Sequence, residues 1–166
     1  MSGYARFPLA PMDRLITALT WVLLAVPLIF VLAAARTRQP PLALVAGLLA
    51  LLYLGVYLYM RPTRFEITPR DLILRWPIRQ ETIARSDVVA ANVLSSAEAR
   101  ARLGLAIRVG VGGLWGGFGL LLTRGAGTVR MYLSRTGPLV LVELRNRRPL
   151  LISPSRPHEF VRALRG

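Results

Sequence analysis

The chain contains no cysteine and no lysine, and it has one histidine, His158. Without cysteine there are no disulfides, thiolate metal sites or thiol nucleophiles. Without lysine there is no Walker A phosphate loop and no Schiff-base chemistry. A single histidine puts a histidine-based metal cluster out of reach. Acidic residues are also scarce: 8, against 22 arginines, for a net charge of +14 over 166 residues. An all-arginine bias is what a GC-rich genome produces, and charge of this size speaks to partners and solubility rather than to fold.

Apolar residues are abundant, at 54% of the chain with a mean hydropathy of +0.47. The excess lies in two runs, Leu15–Ala35 and Leu42–Met60, of 21 and 19 residues without a charge. A helix needs about 20 apolar residues to cross the hydrocarbon of a bilayer. Each run is therefore expected to be a transmembrane helix, with Pro27 tolerated as a kink. The polar connection Arg36-Thr37-Arg38-Gln39-Pro40-Pro41 makes the pair an antiparallel hairpin. Gly47 and Gly55 share a face with Ala43 and Leu51 and are expected to pack on the first helix. Tyr57 and Tyr59 suit an interfacial belt.

The connection carries two arginines. The opposite flanks carry six: Arg6, Arg14, Arg61, Arg64, Arg70 and Arg75. The positive-inside rule then places both termini in the cytoplasm. Ala33-Ala34-Ala35 fits a small-residue cleavage pattern, but the apolar run exceeds the 7–15 residues usual for a signal peptide. An uncleaved helix is the expectation. The domains are accordingly a hairpin over 1–60 (spans about 15–35 and 42–60) and a cytoplasmic unit over 61–166.

Residues 61–166 hold 18 arginines and 7 acidic residues, enough chain for one modest core. Period-two alternation and turn residues predict strands at 64–68, 72–76, 81–84, 88–94, 128–134, 139–144 and 150–152. Arg145-Asn146-Arg147-Arg148 turns the last hairpin. Ser96–Leu103 followed by Gly104 predicts a short helix, and Pro157 opens a terminal one. Residues 110–119 stand apart as a glycine-rich loop.

Several features resemble the bacterial pleckstrin-homology (PH) domain family of small membrane proteins. They are Phe65-Glu66-Ile67, Ile83-Ala84-Arg85-Ser86-Asp87-Val88, the Gly-Leu-Trp-Gly-Gly-Phe-Gly loop, and the ending Leu150-Leu151-Ile152-Ser153-Pro154 with Pro157, Phe160 and Leu164. The resemblance spans roughly residues 63–165. It implies an α+β chain: a mostly antiparallel β PH-like barrel with a C-terminal helix, behind the transmembrane hairpin, in a bacterial inner membrane. It implies no established activity.

The glycine-rich loop lacks the third glycine of a dinucleotide fingerprint, since Trp115 stands there and strand-like residues take the place of a helix. Leu114, Trp115 and Phe118 are left for the domain's own core, the bilayer or a partner helix. Arg145, Arg147 and Arg148, with Arg124 and Arg130 as neighbours, suit an anionic surface. Those two groups are the candidate membrane or partner contacts. His158 beside Glu159, Ser153 and Ser155 form no catalytic constellation, and no helix-turn-helix or RNA-binding signature is present. No catalytic residue, cofactor, metal or nucleic acid is therefore expected. The expected function is a non-enzymatic, membrane-anchored domain that binds another protein at the cytoplasmic face, as adaptor or accessory subunit, or that assembles with itself. Anionic-lipid binding or sensing is the alternative, and a nucleotide-dependent switch or enzyme is a third.

Overall fold

The computed structural model describes residues 4–166. A short strand β1 (Ala5–Pro8) comes first, followed by two long helices, α1 (Arg14–Thr37) and α2 (Pro40–Gly55), the second extended by a π-helical turn at Val56–Met60. Asp13 caps α1 by accepting the Ile16 N–H at 2.9 Å. Arg38 takes a left-handed φ of 55° between the helices, and Pro40 opens the second. The Tyr53 hydroxyl donates to the Leu23 carbonyl at 3.1 Å, tying α2 back onto α1. Both helices are long and apolar enough to span a membrane, and only 11% of each apolar window is buried. The core helix of a soluble protein would be mostly covered; these expose leucine and valine along their length.

Packing between the two differs from expectation. A side chain at Gly47 or Gly55 would meet nothing within 4 Å, so the glycine face points away from α1. The more enclosed side of α2 carries Leu42, Ala46, Leu49, Tyr53 and Val56, a four-three spacing that follows the helical period.

The remaining chain builds β2 (Arg64–Ile67), β3 (Asp71–Arg75), β4 (Gln80–Ala84), β5 (Val88–Leu94), α3 (Ser96–Leu103), β6 (Ala106–Gly112), β7 (Gly117–Thr123), β8 (Gly127–Leu133), β9 (Leu139–Leu144), β10 (Leu150–Ile152) and α4 (Pro157–Arg165). The class is α+β, as expected. The strands form two separate sheets, β1-β2-β3-β4 and β5-β9-β10-β8-β7-β6, and do not close into a barrel. All neighbours are antiparallel except the β8–β10 pair.

At β9 the six-stranded sheet is covered on both faces, which explains the apolar run Leu139–Val142. Val140, Val142 and Leu144 face a core shared with Phe65, Leu72 and Ile83 of the four-stranded sheet and closed by Phe160 and Leu164 of α4. Leu139 and Leu141 point the other way, into a smaller cluster with Ala99 and Leu103 of α3. Ser95 and Glu98 form a full capping box that starts α3.

Three strands lie outside the expected set. β1 pairs with β2 in the register Ala5↔Ile67 to Pro8↔Arg64, so the N-terminus belongs to the sheet. Phe7 is buried in the main core and meets Phe160 edge-on at 5.3 Å. β6 and β7 occupy the glycine-rich stretch and its flanks as one hairpin turning at Gly113–Gly116. Gly110 and Gly119 sit opposite each other with φ of 144° and 131°, where a Cβ would strike the carbonyl of Phe118 or Val109. The glycines let two strands cross closely. The turn leads into β7 and not into a helix, so no phosphate cradle forms.

Candidate functional site

The β6–β7 turn is held against the start of the hairpin by one hydroxyl. Thr20 Oγ1 accepts the Trp115 N–H at 2.9 Å, and its single proton lies between the carbonyls of Gly113 (2.9 Å) and Ile16 (2.8 Å). Gly113 N–H closes the turn on Gly116 O at 2.8 Å. Trp115, at φ 58°, stacks edge-on against Tyr57 at 5.2 Å. A second tie lies at the helix start. Besides capping α1, the Asp13 carboxylate accepts Thr136 N–H at 2.8 Å and Thr136 Oγ1–H at 2.9 Å. Partial burial opposes the charged form, but these bonds outweigh it and hold the Asp13 carboxyl below its ordinary value.

Among the apolar candidates, Trp115 meets Tyr57 at the end of the second helix and also packs against the main core. Leu114 and Phe118 are both buried, at 3% and 0% exposed. Phe118 alternates inward from β7 into the main core.

Between α1, α3 and the outer face of the six-stranded sheet lies a cleft of about 310 Å³. Leu15 and Leu19 form one wall, Leu103 another, and Leu121, Met131 and Leu133 the floor. Arg100, Arg108 and Arg135 edge it, and no carboxylate does. Arg135 is engaged with the carbonyls of Pro138 and Pro154, at 3.2 and 3.0 Å, and burial lowers its pKa. Arg100 and Arg108 are exposed and make no ion pair or side-chain hydrogen bond among the described residues. Sequence reasoning missed this cleft because its walls come from positions 15 to 151, with no local motif to mark them.

The arginine tip divides. Arg147 and Arg148 line a shallow depression with Arg130 and Glu81, while Arg145 and Arg124 do not line it. Glu81 accepts from Arg130 at 2.8 Å and lies 4.0 Å from Arg147, so part of the positive charge is neutralised there. Another carboxylate, Glu66, is buried between Arg64 (2.7 Å) and Arg75 (2.9 Å). Burial opposes its ionisation, yet the two guanidiniums prevail and bring its pKa down to about 2.

The outer edge of β6 has no strand beside it among the described residues. Ile107 and Val109 on this edge are 68% and 52% exposed, with Leu105 and Leu122 exposed nearby. His158 lies on the surface of α4, and Glu159 is paired with Arg156 at 2.8 Å. Ser153 is buried and bonded to Ser134, 3.1 Å between hydroxyls. No group of three metal-ligating side chains occurs among the described residues.

A family model described as "Bacterial PH domain" matches residues 63–166, more than half of the chain. No curated protein matches the chain, and neither does any solved structure.

Proposed function

The chain belongs to the bacterial PH domain family, and from that premise we propose that it is a non-enzymatic, membrane-anchored domain binding another protein at the cytoplasmic face of the membrane. The observation carrying this reading is the open apolar edge of β6. Unpaired edge strands with apolar side chains invite pairing, and proteins that keep them exposed either blunt or use them. No proline blunts this edge, and its one charged residue, Arg108, lies on the side of the cleft. Peptide recognition by strand addition supplies main-chain hydrogen bonds along such an edge, with alternate side chains giving specificity. The domain's excess of arginine favours a partner segment that alternates apolar and acidic residues.

Membrane anchoring is supported by the two uncovered apolar helices. Retention of α1, against cleavage after Ala35, is supported by β1 and Phe7, which cleavage would remove from the sheet and core. The six-to-two arginine bias supports a cytoplasmic domain.

The test is a photo-crosslinking residue at Ile107 of the full-length protein in its own membranes. A single companion, cross-linked through an extended acidic–apolar segment and lost with Val109→Asp, is the expected result. Cross-links only between copies of this chain would replace the adaptor reading with self-assembly. No cross-link at all would remove the edge as a binding site. Anionic lipid is the second reading, and the cleft is the observation that favours it.

A further inference from the structure

We propose that the cleft between α1, α3 and the six-stranded sheet takes one acyl chain of an anionic phospholipid from the bilayer, with the phosphate held by Arg100 and Arg108. This goes beyond the protein-binding reading and does not depend on it.

Position comes first. Thr20 lies sixteen residues before Arg36 on α1, about 24 Å of helix. With Arg36 at the far boundary of about 30 Å of hydrocarbon, Thr20 and the turn bonded to it lie at or just inside the near boundary. Within the turn, Gly113 N–H, Gly113 C=O and Trp115 N–H are bonded inside the protein. The cleft, which shares Gly113, Gly116 and Leu19 with this junction, therefore begins at headgroup level.

Access comes through the same wall. Leu15 and Leu19 line the cleft and keep 61% and 42% of their surface exposed on α1. A chain sliding along the helix enters without crossing water. The volume of about 310 Å³ is at the small end of ligand cavities, roughly 300–1,000 Å³, which suits one chain and not a pair.

Charge selects the headgroup. Among the described residues Arg100 and Arg108 stand at the rim without partners and no acid lines the cleft, and arginine forks match phosphate oxygens. A zwitterionic lipid would bring a cation into the same rim. The alternative occupant, a protein segment, would need carboxylates and a longer groove.

The experiment is native mass spectrometry of the full-length protein released from detergent, with phosphatidylglycerol or phosphatidylcholine of equal chain length added. The wild type is expected to retain one phosphatidylglycerol in preference to phosphatidylcholine. Arg100→Gln with Arg108→Gln, both on the surface, should lower that preference by on the order of tenfold. Ala106→Phe, placed on an exposed strand position at the mouth, should abolish retention of both lipids while thermal unfolding stays unchanged. Equal retention of the two lipids by the wild type would overturn the headgroup assignment. Retention unaffected by Ala106→Phe, in a folded variant, would overturn the cleft as the site.

Discussion

At the residue scale, Glu66 is the most consequential charged group. It pairs across the sheet with Arg6 and Ile73 at its centre, and two guanidiniums close over it. The folded carboxyl titrates near 2 and an unfolded one near 4.5, so its contribution to stability is complete above about pH 4.5. That contribution is lost as pH falls toward 2. Replacement with glutamine should cost about 2 kcal/mol at neutral pH and flatten the acid limb of stability against pH, read by unfolding of the detergent-solubilised protein. An acid limb identical to the wild type's would remove Glu66 as its cause. In the sequence this residue reads only as the polar member of an alternating strand. Its burial depends on arginines from two strands converging, which spacing alone does not disclose. Trp115 and Phe118 teach the complementary lesson: three residues apart in one glycine-rich segment, they end at the anchor and in the core.

At the element scale, the strands from β2 to β5 and from β8 to β10 were legible because alternation and turn residues agree along them. β1 was not. Four residues ending in proline, ahead of a long apolar run, carry too little pattern to be told from a leader. β6 and β7 were hidden for another reason: their glycines satisfy close strand crossing, and glycine counts against strand in any local reading. The partnership of β1 with the domain is open to measurement. Phe7→Ala should destabilise the domain by about 3–5 kcal/mol, seen as a fall in thermal midpoint with the helical signal retained. An unchanged midpoint would mean that β1 merely rests on the sheet.

At the scale of the whole molecule, the division at Met60 that composition suggests is crossed by the fold: residues 5–10 belong with the strands beyond the hairpin. Orientation can be settled with the chain's own composition, since it has no native cysteine. Single cysteines at Gln39 and Asn146 should label from opposite sides of intact membranes: Gln39→Cys with an impermeant reagent applied outside, Asn146→Cys only after permeabilisation. The reverse pattern would invert the arginine argument and place the domain outside. The cleft belongs to this scale as well. It exists only once α1, α3 and the sheet have met, which is why no stretch of sequence announces it.

The pairing of β1 with β2 has a consequence for biogenesis. The two strands are sheet neighbours, yet everything from residue 9 to residue 63, both apolar helices included, is spliced between them. Seen from the sheet, the helix pair is an outsized hairpin loop. If both helices span a membrane, its ends can meet only when the number of crossings is even. If either helix stalled outside the bilayer while the other inserted, Phe7 and Phe65 would be stranded on opposite sides and the core would stay open. In a membrane, completing the β1–β2 pair would require both helices to cross, and a chain with a single crossing would keep Phe7 out of the core.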